Sequence, residues 1–252
     1  MPEAAQISHV ETVADAERLA AFFKSVWRSE EDVVPFDLIL AMIHVGGYAT
    51  MATANSEVVA GSLGFQGEFD GVRVLHSHVT ASTRRGAGLA LKEHQFAWAK
   101  ARDLAAITWT FDPLVRRNCV FNFQKLGAVA VEYLPNFYGT MNDQINANDE
   151  SDRLFAFWSL NSSVKNLNLS DTKTPNIAIK NDDGKPSVIA YDADQAFWVE
   201  LPEDIEQLRK TDANLAKVWR LAVREVVAAK LNAGWVINAV SADRKAILVE
   251  PR

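Results

Sequence analysis

Arg85-Gly86-Ala87-Gly88-Leu89-Ala90 fit the pattern Arg/Gln-x-x-Gly-x-Gly/Ala, and the flanking apolar periodicity places them between a strand and a helix. A helix opened by such a segment offers unpaired N–H groups and the positive end of its dipole. Glycine lets a ligand approach the backbone, so the segment can cradle a pyrophosphate. Arg84 and Arg85 add positive charge at its rim. Just upstream, His76 and His78 lie two apart in a predicted strand and therefore share a face. An imidazole there can accept a proton near neutral pH, directly or through water. As a metal pair, His-x-His lacks a third ligand nearby in sequence. A lone Gly-x-Gly also describes an ordinary tight turn, so its context in the fold decides its meaning.

That context can be read from periodicity and punctuation. Ile7 to Val10 forms a short strand. Thr12 and Asp15 make the Ser/Thr-x-x-Asp/Glu signature of a helix start, and Leu19, Phe22, Phe23, Val26 and Trp27 recur at helical spacing. A second helix opens at Pro35, carries Phe36, Ile39, Leu40 and Ile43 on its buried stripe, and stops at Gly46-Gly47. The period then falls to two. Tyr48 to Ala54, Glu57 to Phe65 and Val72 to Ala81 predict three consecutive antiparallel strands, joined at Asn55-Ser56 and Asp70-Gly71. After the glycine turn comes a helix with Ala87, Leu91, His94, Trp98 and Ala101 on one face. Ile107 to Phe111 is a strand broken by Pro113, and Asn118 to Leu126 a helix closed by Gly127. Ala128 to Tyr133 and Leu154 to Leu160 are two more strands, around a polar loop from Pro135 to Arg153. The order to residue 160 is β-α-α-β-β-β-α-β-α-β-β.

From Asn161 to Asn176 the composition shifts to Asn, Ser, Thr and Lys, which predicts a linker and a domain boundary. Beyond it, Asp182-Asp183-Gly184 signals a hairpin between Ile177 to Lys180 and Val188 to Tyr191, and Phe197 to Leu201 is a strand. A long helix spans Asp212 to Asn232, its charged face with Arg220, Arg224, Glu225 and Lys230 read as solvated. Trp235 to Val240 and Ala246 to Glu250 close the chain as strands. The predicted domains are 1–160 and 161–252.

Composition narrows the classes. The 252 residues carry 48% hydrophobic and 23% charged side chains, as a folded globular protein does. A net charge of −6 argues against binding a long polyanion, so nucleic acid is excluded as an expected partner. No stretch reaches eighteen uninterrupted apolar residues, and no membrane span is expected. The N-terminal residues lack the basic start and apolar run of a signal peptide, and Cys119 alone allows no intrachain disulfide. A cytoplasmic location is the expectation.

The glycine segment and the element order together resemble the GCN5-related N-acetyltransferase (GNAT) superfamily over about residues 5 to 160. Asn118 and Leu126-Gly127-Ala128 look like that family's later region, and the chain is similar to a bacterial subgroup with a C-terminal extension. The resemblance implies an α+β GNAT fold, a mixed and mostly antiparallel sheet flanked by helices, with a smaller C-terminal β-α-β-β domain. It implies acyl-CoA as co-substrate, acetyl-CoA by default or another such as succinyl-CoA, and direct attack of an amine on the thioester without an acyl-enzyme or a metal. The pyrophosphate would rest on Arg84, Arg85, Gly86, Ala87, Gly88, Leu89 and Ala90, with Asn118 as a further cofactor contact. Backbone N–H groups near Val79 and Thr80 would hold the oxyanion.

Under this resemblance His78 is the first candidate base, His76 the second, and Asp112 a third at the end of the strand before Pro113. The family's usual tyrosine general acid is absent, Phe123 standing in its place, and Tyr138 is the better replacement phenol than Tyr133. Arg116 and Arg117 could bind a CoA phosphate or a substrate carboxylate. Trp109, Phe121, Phe137 and Trp158 are read as core or cleft lining. The expected acceptor is a small-molecule amine or an amino acid, and the C-terminal domain would cover the acceptor site or form a homodimer interface. The rival reading is a catalytically silent acyl-CoA-binding regulatory protein. A dinucleotide enzyme fits less well, since no βαβ unit opens the chain.

Overall fold

The computed structural model describes residues 5–139, 149–161 and 176–252. The segment read as a linker lies mostly outside these, as does much of the polar loop after Pro135. The chain divides into two compact units, one of Met1–Trp109 with Ser159–Asn161, the other of Thr110–Trp158 with Ser162–Arg252. This division falls elsewhere than the boundary expected near residue 160.

In the first unit the strands run β1 (Gln6–His9), β2 (Tyr48–Ala54), β3 (Glu57–Phe69), β4 (Val72–Ser82) and the start of β5 (Ala106–Phe111). All neighbours are antiparallel except β4 and β5. The turns sit where Asn, Asp and Gly tolerate positive φ, at Asn55-Ser56 (51° and 67°) and Asp70-Gly71 (51° and 74°). Helix α1 (Val13–Trp27) starts on a capping box: Asp15 N–H donates to Thr12 Oγ1 at 3.1 Å and Thr12 N–H donates to the Asp15 carboxylate at 3.2 Å. Its buried Leu19, Phe22 and Phe23 pack with Ile39 of α2 (Phe36–His44) and with Met51, Leu63, Val79 and Ala81 of the sheet. The opposite sheet face carries Ala52 and Ala60 and meets Ala87 and Leu91 of α3 (Ala87–Lys100).

The second unit orders its strands β7 (Arg153–Ser159), β6 (Val129–Leu134), β11 (Val236–Val240), β12 (Ala246–Glu250), β10 (Phe197–Glu200), β8 (Ile177–Asp182) and β9 (Lys185–Val188). Pairing of β6 with β11 through Ala130 and Ile237 joins the β6–β7 hairpin to the C-terminal segment. Among its described residues only β8 and β10 pair in parallel. The helix α4 (Arg116–Cys119) continues as a π-wound turn over Val120–Lys125. Helix α6 (Ala213–Asn232) is capped by Asp212, whose side chain accepts from Leu215 N–H at 2.9 Å.

Three expectations need correction here. A short helix, α5 (Ile205–Thr211), precedes α6 and was not foreseen; Asp204 caps it by accepting from Gln207 N–H. The inner face of α6 runs through Ala216, Trp219, Arg220, Val223, Val227 and Leu231, which buries Arg220, a residue read as solvated. Phe137, read as core or cleft lining, is half exposed and so not part of the core. Among the described residues no helix is long and apolar enough to cross a membrane.

Gly61 shows how tightly the first unit closes. A Cβ there would overlap Leu19 Cδ1 and crowd the Phe22 and Phe23 rings. Gly61→Val is expected to lower unfolding free energy by about 1–3 kcal/mol, read from the urea midpoint.

Candidate active site

Strands β4 and β5 pair in parallel only through Val74↔Ala106, Leu75↔Ile107 and His76↔Thr108. β4 then continues to Ser82 with β3 as its partner in this unit. The β3–β4 register slips between Leu63↔Val79 and Gly64↔Ser77, so His78 is an extra residue, a β-bulge. The strands thus part directly beside a bulge, and the outer edge of β4 from Ser77 to Ser82 leads back toward the start of α3. The two strands splay apart at this point.

His76, His78 and Phe65 share one face, with ring centroids 5.2–6.3 Å apart. His78 stays exposed, and partial burial holds its imidazole below the ordinary value. His76 is half-buried and hydrogen-bonded to Thr108 Oγ1 at 3.1 Å; burial, then the charges of His78 and Lys92, depress it to about 4. Both rings are therefore neutral at pH 7. Val79 is buried and Thr80 half-buried on the strand just after the bulge.

At the other end of the splay, Gly86 caps α3 with φ of 88°, a conformation L side chains rarely adopt. Among the described residues no backbone carbonyl accepts from the N–H groups of Gly86, Gly88 or Leu89, whereas Ala87 N–H turns back to Arg84 and Ala90 N–H to Gly86. Ser82 Oγ donates to Arg84 O and fixes the loop. Gly88 has ordinary helical geometry, and a Cβ there would meet only Ser82 Cβ at 3.6 Å. Neither strain nor packing within the protein calls for glycine at 88, which fits a ligand pressed against the backbone. Arg85 is exposed and Arg84, Gly88, Leu89 and Ala90 half-buried.

Under the parting strands, on the α3 face, lies a polar cluster that sequence reasoning missed. Lys92 is 4% exposed; its Nζ donates to Ser77 Oγ at 2.9 Å and sits 4.1 Å from the centre of the Trp109 ring. Gln95 donates to Ser62 Oγ and Ser77 Oγ, and Thr80 Oγ1 lies 2.7 Å from Ser62 Oγ and 3.2 Å from Ser77 Oγ. Burial lowers the Lys92 amine to about 7. A signal was present: positions 91, 95 and 99 share a helix face, and both polar residues sit beside the buried Leu91 and Ala99.

The remaining candidates belong to the second unit. Asp112 is buried, accepts from Leu114 N–H at 2.9 Å, and is ion-paired with Arg209 and, at 3.3 Å, Arg220. Burial works to raise its pKa, but Arg220, Arg209 and Arg153 hold it below the usual carboxylate range. A carboxylate so engaged is an anchor and a poor base. Asp149 completes the pairings of Arg209 and Arg220, while Arg224 grips Glu150 and Asp152. Of the α6 charges read as solvated, Arg220 and Arg224 instead belong to this cluster, Glu225 is exposed, and Lys230 donates to Ala193 O. Tyr138 is 41% exposed, its hydroxyl 2.9 Å from Thr110 Oγ1. Tyr133 is buried and donates to Asp152 at 2.6 Å. Asn118 lies half-buried on α4. Arg117 pairs with Glu206, and Arg116 donates to Leu201 O at 2.8 Å. Phe123 is buried edge-on against Phe111. Burial pushes the Cys119 thiol up, away from nucleophilic use.

Among the described residues no group of three His, Cys, Asp or Glu side chains could hold a metal ion. A cavity of about 650 Å³ lined by Val10, Glu11, Leu40, Ala41, Ile43 and His44 touches none of the predicted site residues.

No family model matches the chain, and no curated protein matches it in sequence. Solved structures match its fold. The ribosomal-protein-S18-alanine N-acetyltransferase from Escherichia coli superposes with a TM-score of 0.50 at 17% identity, covering 65% of this chain and 99% of its own. An aminoglycoside 6'-acetyltransferase type Ii does so with a TM-score of 0.50 at 16% identity, covering 63% and 99%. About a third of this chain lies outside each match.

Two measurements check these assignments. Asp112→Asn leaves buried arginines short of a counter-charge and is expected to cost about 3–5 kcal/mol of stability by chemical denaturation. Lys92→Met removes an ammonium that the fold disfavours. The fold binds fewer protons than the unfolded chain between about pH 7 and the ordinary lysine value of 10.5. The stability gained by Lys92→Met is therefore largest below pH 7 and shrinks as pH rises, as paired melts at pH 6 and pH 9 would show.

Proposed function

We propose that this chain, which has the fold of GCN5-related N-acetyltransferases, is an acyl-CoA-dependent N-acyltransferase. The observation that carries the reading is the end of β4–β5 pairing at His76↔Thr108, beyond which β4 runs on to Ser82, just before the glycine cradle of α3. A pantetheine arm can occupy such an edge by pairing with strand backbone, while the pyrophosphate takes the free N–H groups of Gly86, Gly88 and Leu89. Arg84 and Arg85 flank that position, and Asn118 is a further cofactor contact by resemblance.

The reaction needs an amine held against a thioester, a base for the amine, and donors for the oxyanion. His78, neutral at pH 7 and open to solvent, is the base. Backbone N–H groups at Val79 and Thr80 serve the oxyanion. Asp112 drops out of the base role, and Tyr138 keeps a hydroxyl able to give a proton. Acetyl is the default acyl group and succinyl the alternative. The structural neighbours act on the alanine of a ribosomal protein and on an aminoglycoside, so a small-molecule amine or an amino-acid amine is the acceptor class. A cytoplasmic setting and a homodimer remain part of this reading.

The test is calorimetric titration with CoA, acetyl-CoA and succinyl-CoA, followed by thiol release over a panel of amines. Gly88→Ala separates ligand contact from packing. It is expected to raise stability by about 0.5–1 kcal/mol, as glycine-to-alanine does inside a helix, and to weaken CoA binding at least tenfold. Binding without thiol release for any amine would favour the silent acyl-CoA-binding regulator, and absence of CoA binding would remove both readings.

A further inference from the structure

Lys92 is the only charged side chain buried in the first unit among the described residues, and no carboxylate lies against it. Its surroundings are complete on every side. From β4 come Ser77 and, on the other face of the sheet, His76 and His78; from β5 the Trp109 ring; from α3 itself Gln95. Ser77 and Trp109 are each the first residue past the last β4–β5 pair, so Nζ bridges the two strands where they separate. With Ser77 Oγ accepting from Lys92 and Gln95, its own proton points to Thr80. Thr80 in turn donates to Ser62, whose proton is aimed at Val79 O at 3.4 Å. Each lone pair of Ser77 is spoken for by a donor, and Lys92 keeps two further N–H groups to offer.

The position along the strand has a chemical meaning. From Ser82, beside the glycine cradle, back to Ser77 is ~17 Å of strand at about 3.3 Å per residue. That is about the reach of an extended pantetheine arm, so the thioester end falls at Ser77 and His78. His78 stands on one face of the sheet there and Lys92 on the other.

Resting on the acyl-transfer reading above, we infer that Lys92 is the proton donor to the departing CoA thiolate. The amine nitrogen forms the new C–N bond as the C–S bond breaks. Sulfur leaves with the bonding pair and takes a proton from Lys92 Nζ, while the nitrogen sheds its proton to His78. Lys92 then regains a proton from water once CoA has left. An amine lowered to about 7 gives up its proton to a thiolate more readily than an ordinary lysine does. Phe123 cannot take this part, and Tyr138 is the rival donor.

The experiment compares the full chain with Lys92→Met and Tyr138→Phe. Lys92→Met should retain its far-UV spectrum and bind CoA within threefold of the unaltered protein, while kcat falls about 10²–10³-fold. The alkaline limb near pH 7 in the pH profile should disappear with it. An acyl thioester of an aromatic thiol, which leaves unprotonated, should recover most of the loss. A readout without turnover is the Lys92 Cε resonance in ¹³C-lysine-labelled protein, identified by its absence in Lys92→Met. It should titrate near pH 7 and move on addition of CoA. Wild-type kcat and pH profile in Lys92→Met, a resonance indifferent to bound CoA, or CoA binding without turnover in the unaltered protein would each overturn the assignment. So would loss of kcat in Tyr138→Phe alone, or a loss confined to KM for succinyl-CoA, which would make Lys92 an acyl-carboxylate contact. Failure of the unaltered protein to bind CoA would instead strike the acyl-transfer reading itself.

Discussion

Backbone hydrogen bonding between β4 and β5 stops at His76↔Thr108, and the first unit is arranged around that interruption. Sheet strands that keep their pairing have nothing to offer a ligand, whereas a strand that loses a neighbour exposes a row of N–H and C=O groups. The His78 bulge adds one residue on β4 against β3 and increases the local twist, which is one way to turn the strand away from its neighbour. The chain beyond β4 is constrained in turn. It must reverse within a few residues to start α3, Gly86 supplies the left-handed conformation for that, and the helix opens with its donors directed outward. The bulge, the interrupted ladder, the open edge and the anion cradle thus follow one another along β4 and into α3.

The second unit solves a different problem. Asp112, Asp149, Asp152, Arg153, Arg209 and Arg220 lie in or close to its interior, and each acid has arginine within reach. Burying one such charge alone would be costly, and burying them as interlocked pairs fixes which strand end meets which helix. α5 provides Arg209, α6 provides Arg220 and Arg224, and the carboxylates come from the end of β5 and the approach to β7. The cluster therefore ties segments far apart in sequence into one unit, and a compact division that keeps them together is the natural result.

These clusters also explain what the sequence could and could not disclose. Turns at Asn55-Ser56, Asp70-Gly71 and Asp183-Gly184, the Thr12 capping box and the Asp212 cap are local devices, legible because the residue type itself meets the local need. The strand–glycine–helix segment was legible for the same reason. The partners of Asp112 were not, since Arg209 and Arg220 are about a hundred residues away and nothing local distinguishes a charged residue bound for the interior from one bound for water. Helix α5 was missed because seven residues of mixed charge carry no clear stripe. Lys92 was overlooked for a related reason: a helical stripe is drawn through apolar residues, and a lysine beside Leu91 reads as its solvated flank.

The contrast between the two units gives the Lys92 environment its weight. In the second unit, the buried acids and arginines meet opposite charges, so their burial is offset electrostatically. In the first unit one amine is buried among hydroxyls, an amide and an indole, with no anion to offset the loss of water. A methionine would fill the same volume without that penalty. Packing alone therefore gives no reason for an amine at the point where the two strands part, and the missing counter-charge is one that a reaction in the splay would generate: a thiolate that exists only while the thioester is being broken.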